Sequence, residues 1–466
     1  MKKFFLFFAL LFTAAASQAV VKTVPAQYST IQAAINASVN GDTVLVSPGT
    51  YFENINFRGK KIVLTSTFYL TNDPAVIDAT VINGSMPSHP DTVSCVIISS
   101  YEDSTTVLQG FTITGGRGTL WDDEHSPGNR FREGGGVLIQ YSSPVVQNNV
   151  IKFNDAINDT GIAVSAGGGG IRMGDSNPRV YNNVIMGNRG LYGPGIVMNF
   201  SGGTFMNNII LLNSGGNSYS GGSGFWILGS FSKPKSIINN TIINNTASTG
   251  SAGITFLSST AVVRNNIIRG NICPGNIQIL GASFVYYCNI QGTYSGGGNI
   301  DADPIYADSN YRLAAGSPCI DKGDSSLAYN DLEDPNNTGF AKYPSLGGLR
   351  NDIGAYGGPF ARVLTGQLIG INDPAINIPN DFRLFQNYPN PFNPSTNITF
   401  ELPVQGNIEI RVYDAAGRET ALLFSGFKNA GRHEVTFDAS MLSTGVYFYT
   451  MKTDRVLLTR KMILIK

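Results

Sequence analysis

The chain has 466 residues, of which 14% are charged, and its 32 basic side chains are balanced by 32 acidic ones. This balance leaves no charge excess that would indicate binding to nucleic acid or to an anionic membrane surface. The 54 glycines, together with many Asn, Ser and Thr residues, are typical of a chain that turns often and runs in short extended segments. We therefore expect an all-β protein, long enough for two domains.

The N-terminus has the layout of an export signal. Lys2 and Lys3 precede an apolar run from Phe4 to Phe12, and small residues follow, ending at Ala19. This pattern predicts a signal peptide over residues 1–19, with cleavage after Ala19. Because the apolar run is too short to cross a bilayer and no later run is longer, the sequence predicts no membrane span.

The next element is a short helix over Ser29 to Ala37. Ser29 and Gln32 form an S-x-x-Q capping box, and the apolar residues have helical spacing. Extended segments follow from Gly41 onward, so we expect this helix to be short and isolated.

The middle of the chain contains a repeat of two adjacent asparagines followed by aliphatic residues. The five copies are Asn148-Asn149-Val150-Ile151, Asn182-Asn183-Val184-Ile185, Asn207-Asn208-Ile209-Ile210, Asn239-Asn240-Thr241-Ile242 and Asn265-Asn266-Ile267-Ile268. A glycine and an apolar residue lead each copy, with the apolar positions at Val137, Ile171, Ile196, Phe225 and Ile254. From that apolar residue to the second Asn the offset is 12 residues in four copies and 15 in one. The unit is therefore constant, while the connections between units vary.

A repeat of this kind predicts a right-handed parallel β-helix. The apolar residue of each coil stacks on the same position of the next coil, and Gly and Asn tolerate the backbone of the corners. Stacked Asn side chains also hydrogen-bond along the axis. The alternative, a β-propeller, has longer repeats with four strands in each blade, so the repeat length favours the β-helix.

These motifs resemble the pectin-lyase-like family of parallel β-helix proteins, over about residues 22 to 357. In that family a short helix covers the first coil, which is the role that the resemblance implies for Ser29 to Ala37. The segments Asn299 to Tyr306, Gly316 to Asp321 and Asp352 to Gly357 are similar to the closing coils of a subgroup of bacterial surface proteins. We expect the β-helix domain to span residues 20–360, with a linker over 361–381.

The C-terminal region, residues 382–466, has short strand-like runs separated by turns, which predicts an Ig-like β-sandwich of about seven strands. It closely resembles the C-terminal sorting domain of the type IX secretion system. The residues that carry this resemblance include Asn387, Pro389, Asn390, Pro391, Gly445, Tyr447 and Lys466. The resemblance implies recognition by the outer-membrane export machinery, and a secreted or surface location. The alternative is a carbohydrate-binding or adhesive sandwich.

Outward residues of the first strand in each coil are the place where polysaccharide-cleaving members of the family act. By alternation these residues include Arg172, Asn199 and Trp226, and the ladder contains no carboxylate. A glycosidase needs two facing carboxyl groups, and a calcium-dependent lyase needs several acidic ligands and a base. Neither set lies on this face, so Arg172 and Trp226 are predicted as ligand contacts only. For Trp226, stacking on a sugar ring and packing under a neighbouring loop both stay open.

The loop from Gly115 to Glu133 is the remaining candidate for chemistry. It contains Trp121 as a possible sugar contact and Asp122, Asp123 and His125 as candidate catalytic residues. The same composition is also typical of a solvated loop.

Two further predictions concern metal and sulfur. Asp301 and Asp303 lie in an acidic stretch that suits calcium, although turn capping explains the same residues. The four cysteines, Cys95, Cys273, Cys288 and Cys319, form no metal-binding spacing and are expected to be small buried side chains. A Cys273 to Cys288 bridge stays open.

Two functions follow from the sequence. The first is a secreted or surface β-helix that binds polysaccharide or mediates adhesion without catalysis. The second is a polysaccharide lyase or hydrolase whose catalytic groups lie in the loops, at Asp122 to His125 and Asp155 to Asp175. Alanine replacement of the loop residues separates the two, because loss of turnover with retained binding identifies an enzyme.

Overall fold

A computed structural model describes residues 19–123, 125–156, 163, 165–216, 219–229, 232–281, 283–292, 294–363, 382–402, 406–428, 431–453 and 455–466. Over these residues the chain is all-β, as predicted, with a parallel β-helix followed by antiparallel sheets. The predicted signal peptide before Ala19 and the linker from 364 to 381 lie outside the described residues. None of the described helices has the length and apolar composition needed to span a bilayer.

Three long parallel sheets form the β-helix, and every coil contributes about one strand to each. Sheet A contains Val21–Val24, Thr43–Val46, Val63–Ser66, Val107–Gln109, Val145–Gln147, Arg179–Tyr181, Gly203–Met206, Lys235–Ile238, Val262–Arg264 and Phe284–Tyr286. Sheet B contains Gly49–Tyr51, Thr80–Asn83, Thr112–Thr114, Val150–Lys152, Val184–Met186, Ile209–Leu211, Thr241–Ile243, Ile267–Arg269 and Asn289–Ile290. Sheet C contains Ile55–Asn56, Val96–Ile98, Val137–Gln140, Ile171–Gly174, Ile196–Asn199, Phe225–Leu228, Ile254–Leu257 and Ile279–Leu280.

Smaller elements flank these sheets. One side sheet contains Thr92–Val93, Gly118–Asp122, Arg130–Glu133 and Ser165–Gly167. Another contains Asp155–Ala156, Arg189–Gly190, Ser214–Gly215 and Thr246–Ala247, and a two-stranded sheet contains Glu333–Asp334 and Asn337–Ala341. The helices are Ile31–Ala37, Phe68–Thr71 and Pro74–Ala79, with 3-10 turns at Pro274–Asn276 and Leu327–Tyr329.

The apolar ladder predicted from the repeat is confirmed. Its five members, Val137, Ile171, Ile196, Phe225 and Ile254, pair in register from coil to coil and are fully buried. Burial of this column against the inward residues of the other two sheets gives one continuous core. The four cysteines are buried and free, so they pack as small apolar side chains and no disulfide forms between them.

The two asparagines of each repeat have different roles. The first, as in Asn182, has a left-handed backbone with φ near 54°, which turns the chain from sheet A into sheet B. The second forms an internal ladder, in which the backbone N–H and side-chain Nδ2 of Asn183 both donate to Oδ1 of Asn208 at 3.0 Å. Asn208 donates in the same way to Asn240. The ladder satisfies polar groups that burial removes from water.

A second asparagine ladder, which the sequence analysis did not predict, follows sheet B. Its members are Asn154, Asn188, Asn213, Asn245 and Asn271, and each donates to Oδ1 of the next at 2.9–3.1 Å. Each lies five residues after the second Asn of its repeat, so a fixed sequence signal was present. The β-helix therefore has two of its corners held by stacked amides.

The predicted N-terminal helix is present, but its cap differs from the prediction. The helix is Ile31–Ala37, and its N-cap is Thr30 rather than Ser29, with Oγ1 of Thr30 accepting from Ala33 N at 3.1 Å. The carboxylate of Glu53 accepts the first two helical N–H groups at 2.9 Å each. A carboxylate from the following coil thus takes the place of the reciprocal Gln side chain of a capping box.

After the last coils, residues 319–358 return along the outside of the helix, and we call this segment the strap. Asn207 donates to the strap carbonyls of Ala355 and Gly357, at 3.0 and 2.6 Å. Asn239 donates to the carbonyls of Asp352 and Gly354. The first asparagines of successive repeats therefore hold the strap against the corner between sheets A and B.

Buried carboxylates inside the strap predict a pH-dependent stability. Burial, and then the neighbouring Asp352 carboxylate, raise the pKa of Asp331 to about 8, and burial also raises the pKa of Asp352. The pKa of each carboxyl group in the folded protein thus exceeds its unfolded value of about 3.9. The protonated groups therefore contribute fully to the free energy of unfolding below about pH 4, and this contribution is lost as the pH rises through the folded pKa. We expect the melting temperature to fall between pH 5 and pH 8.5, and Asp331→Asn to reduce that fall. The exposed Asp303→Asn, measured by the same calorimetry, should leave the pH dependence unchanged; equal profiles for all three proteins would contradict the prediction.

The C-terminal domain has the seven strands predicted for it, counted over its described residues. Arg383–Leu384, Ser395–Leu402 and Gly431–Asp438 form one antiparallel sheet, and Gly406–Asp414, Glu419–Lys428, Gly445–Lys452 and Leu457–Leu464 form the other. Alternating residues such as Ile398, Phe400, Ile410, Val412 and Tyr449 are buried between the sheets. The domain is therefore a β-sandwich with its own core.

Candidate functional site

A cavity of about 320 Å³ lies on the outer face of sheet C. Its floor is formed by outward residues of sheet C, and its side by the hairpin of Gly118–Asp122 and Arg130–Glu133. Phe131 of the hairpin packs with Val197 and Trp226 of the sheet, which fixes the hairpin against the coils. We call this cavity the aromatic pocket.

A buried ion pair anchors the pocket. The Arg172 side chain is fully buried on the outer face of sheet C, with Nε 2.6 Å from Oε2 of Glu133. The other oxygen of Glu133 accepts from the hydroxyl of Tyr192 at 2.5 Å, and Gln140 contacts the guanidinium of Arg172. Burial, and then the Glu133 charge, raise the pKa of Tyr192 well above its ordinary value. Tyr192 is therefore protonated at neutral pH, and the contact with Arg172 holds the Glu133 side chain in place.

Aromatic rings form one wall of the pocket. The rings of Tyr192 and Trp226 lie 5.0 Å apart, and Tyr219 meets Tyr192 edge-on at 5.4 Å. Nε1 of Trp226 donates to the carbonyl of Tyr219 at 2.7 Å, so the indole is fixed by a hydrogen bond as well as by packing. Tyr219 is 49% exposed and lies at the rim.

The opposite rim carries a histidine. The ring of His125 stacks on Phe200 with centroids 3.7 Å apart. Its Nε2 lies 2.8 Å from Oδ2 of Asp175, whose other oxygen is 3.4 Å from Nζ of Lys233. This pair is polar and partly exposed, and His125 lines the cavity, so the imidazole is suited to contact a ligand that enters it.

The residues predicted as ligand contacts lie at different depths. Arg172 and Trp226 lie on the outward face of sheet C, and of the two alternatives for Trp226 the structure shows packing under a neighbouring segment, because Trp226 is 4% exposed and packs against Phe131 of the hairpin. Arg172 lies beneath the pocket and contacts Glu133 and Gln140, while Trp226 lines the cavity wall. Trp121 pairs with Phe131 in the hairpin and is not among the described lining residues.

Of the three candidate catalytic residues, two line the pocket and one does not. Asp123 and His125 line the pocket, and Oδ1 of Asp123 accepts from the backbone of His125 at 2.8 Å. Asp122 is 81% exposed in its side chain and pairs with Arg130 at 3.0 Å on the hairpin surface. The hairpin thus brings two of the three predicted residues to the cavity, and their catalytic role stays a prediction.

Sequence reasoning missed Glu133, Tyr192 and Tyr219. One signal for Glu133 was available, since an arginine in a ladder of apolar outward residues needs a nearby carboxylate when that face is covered. Tyr192 and Tyr219 lie in connections of variable length, so no fixed spacing indicated their positions.

The predicted calcium residues lie elsewhere, at the end of the β-helix. Oδ1 of Asp301 is 2.5 Å from Nη1 of Arg269, and its Oδ2 accepts from Gly292 N at 3.0 Å. Oδ1 of Asp303 accepts from Ile305 N at 3.1 Å, which is a turn cap. Across the described residues, no three His, Cys, Asp or Glu side chains converge as a metal ion would require. Calcium binding by Asp301 and Asp303 stays a prediction.

The predicted sorting residues converge in the C-terminal sandwich. Nδ2 of Asn387 donates to the carbonyl of Pro389 at 3.0 Å, and Oδ1 of Asn390 accepts from Ile463 N at 2.9 Å. Pro389 and Pro391 are exposed. This segment is therefore tied to the last strand of the chain, although about 70 residues separate the two in sequence.

The end of the chain meets the same edge. Gly445 begins the strand that contains Tyr447, whose hydroxyl donates to the carbonyl of Ser443 at 2.8 Å. Nζ of Lys466 donates to the carbonyl of Ser440 at 2.6 Å. The role of these individual residues in sorting stays a prediction.

Comparisons with known proteins identify the C-terminal domain. Residues 386–466 match the family described as the secretion system C-terminal sorting domain. Among curated proteins no significant match was found. A solved structure of a PL6 family alginate lyase matches with 13% identity and a TM-score of 0.21, over 64% of this chain and 56%, or about half, of its own. Residues 386–466 therefore carry a secretion system C-terminal sorting domain, which implies that the chain is exported to the cell surface or released.

Proposed function

We propose that the exported β-helix binds a polysaccharide through the aromatic pocket, without cleaving it. The observation that supports this function is the cavity beside Trp226, Tyr192 and Tyr219, which has an aromatic wall and a polar rim. Its volume of about 320 Å³ falls in the range of about 300–1,000 Å³ typical of small-molecule sites.

The chemistry of the lining suits a sugar ring. A pyranose has an apolar face of C–H groups that packs on aromatic rings, and hydroxyl groups at its edge that need polar partners. Asn199, which is buried in the lining, and the partly exposed His125 supply such partners, and Asp123 adds a carboxylate. Because the rings are fixed by mutual packing and by the Trp226 hydrogen bond, little side-chain freedom is lost when a ligand binds.

The polar groups at the base of the pocket favour binding over catalysis. Glu133 accepts from Tyr192 and pairs with Arg172, so its carboxylate is committed to structure. The raised pKa of Tyr192 makes this hydroxyl a poor base at neutral pH. Glycoside hydrolysis requires two carboxyl groups that face each other. Among the described lining residues only Asp123 and Glu133 carry carboxyl groups, and Glu133 is bound to Tyr192 and Arg172.

The second candidate function is a polysaccharide lyase or hydrolase, and the His125–Asp175 pair is the observation that favours it. A carboxylate that orients an imidazole is a common arrangement for a general base. His125→Ala and Asp123→Ala distinguish this candidate, since an enzyme loses turnover in these variants while it retains its substrate.

Tyr219→Asn tests the proposed binding site. Tyr219 has a left-handed backbone with φ of 48°, which Asn tolerates, and its ring is at the rim, so the change removes a stacking surface with little effect on the fold. We expect the affinity for any polysaccharide that the unmodified protein binds to fall about 3- to 10-fold in this variant. Affinity electrophoresis of the exported chain in gels that contain neutral or acidic polysaccharides measures this change.

Tyr101→Asn is the matched control. Tyr101 is also an exposed tyrosine with a left-handed backbone, with φ of 64°, and it lies outside the pocket. Equal retention of both variants and the unmodified protein would contradict the assignment of the pocket.

A further inference from the structure

A second and larger cavity, of about 810 Å³, lies between the strap and the helices Phe68–Thr71 and Pro74–Ala79. It lies beside Gln147 and Tyr181, the last residues of two sheet A strands, and so on a different side of the β-helix from sheet C. We call it the strap groove. From its lining we infer that the strap groove is a binding site for an acidic oligosaccharide chain, separate from the aromatic pocket.

The first observation is an unpartnered amide. The first asparagines of three repeats, Asn207, Asn239 and Asn265, contact the strap. Asn182 is the preceding member of this column and lines the groove. It is 3% exposed, and its Oδ1 has no hydrogen-bond partner among the described residues. A buried carbonyl oxygen without a donor is destabilising, so a ligand hydroxyl that reaches Oδ1 and donates to it recovers this loss.

The second observation is charge. Lys342 and Arg362 line the groove, both are exposed, and neither forms an ion pair within the described part of the chain. The lining contains no Asp or Glu. Two cations in a lining without carboxylates favour the binding of carboxylate groups of a ligand, although Asp73 and Glu333 lie next to lining residues in the sequence.

The third observation is exposed aromatic surface. Tyr343 is 53% exposed and Phe360 is 52% exposed, although both are large apolar rings. The ring of Phe360 lies 6.5 Å from that of Tyr181, and the guanidinium of Arg312 lies 5.6 Å over Tyr343, on one face. These rings offer stacking surfaces for successive sugars. A uronic-acid chain combines the three required features, which are ring faces, hydroxyl donors and carboxylates.

Isothermal titration of the full exported chain with hexagalacturonate tests the inference. In the double variant Lys342→Glu/Arg362→Glu, we expect affinity for this anionic probe to fall at least about 10-fold, because two attractions become repulsions. Asn182→Gly, which keeps the left-handed backbone, should weaken binding about 3- to 10-fold. Lys342→Arg should retain affinity, and so should Arg58→Glu, an exposed charge reversal outside the groove.

The two sites are distinguished by reciprocal variants. Tyr219→Asn changes the aromatic pocket and should leave hexagalacturonate binding at the groove unchanged, while the groove variants leave the pocket intact. Cellohexaose, which has the same number of sugars without carboxylates, should not compete at the groove. Undiminished hexagalacturonate affinity in the double variant, or no binding of this probe by the unmodified chain, would overturn the inference, whatever the result for the aromatic pocket.

Discussion

Replacement of Glu133 by Leu is expected to destabilise the β-helix by about 3–5 kcal/mol, because it leaves the charge of Arg172 buried without a partner. Both side chains of this pair are almost inaccessible to water, with 0% and 2% exposure. The double variant Glu133→Leu/Arg172→Met should recover most of the loss, since an apolar pair of similar volume removes the uncompensated charge. Urea unfolding followed by circular dichroism measures the three proteins.

Asp122→Leu is the matched control for this prediction. Asp122 and Arg130 form an ion pair in the same hairpin, but the Asp122 side chain is 81% exposed. Exposed pairs contribute about 0–1 kcal/mol, so the control should change stability little. A double variant that is no more stable than Glu133→Leu would show that the buried charge is not the source of the loss.

The second large effect is expected for Asn208→Ala, in the middle of the first asparagine ladder. Nδ2 of Asn208 donates to Val180 O and to Asn240 Oδ1 at 2.9 Å, and its Oδ1 accepts two bonds from Asn183 at 3.0 Å. Removal of the side chain leaves buried groups on both neighbouring coils without partners, at about 1–3 kcal/mol for each group. We expect a loss of at least about 3 kcal/mol, together with faster hydrogen exchange in the flanking coils.

The control for the ladder is Asn36→Ala. Asn36 is exposed in the N-terminal helix and bonds only with Gln32 and Lys60 among the contacts described for it. Its replacement should change the free energy of unfolding by less than about 0.5 kcal/mol. If both variants unfold at the same urea concentration, the stacked amides do not hold the coils together.

The sequence predicted the β-helix well because its signals are periodic. The stacked column from Val137 to Ile254 could be read from a constant offset, and the register in sheet C follows it. The identity of the stacking asparagine required the structure, because the two adjacent residues differ only in backbone conformation and burial.

The candidate site was less predictable, because it depends on contacts between segments that are distant in sequence. Glu133 and Tyr192 meet across 59 residues, and the hairpin that covers Trp226 determines that this residue is buried. Alternation along a strand gives the direction of a side chain but not what lies over it. The strap groove, formed by Asn182 and by strap residues 150 or more positions later, could not be predicted from the sequence for the same reason.

The most direct test of the proposed function is a combined binding and activity assay on the exported chain with acidic and neutral polysaccharides. Retention in affinity gels reports binding, while new reducing ends and ultraviolet absorbance of unsaturated products report hydrolysis and lyase activity. We expect retention on at least one polysaccharide, reduced in Tyr219→Asn, with no product formed. Product formation that is lost in His125→Ala would instead show that the aromatic pocket is the active site of an enzyme.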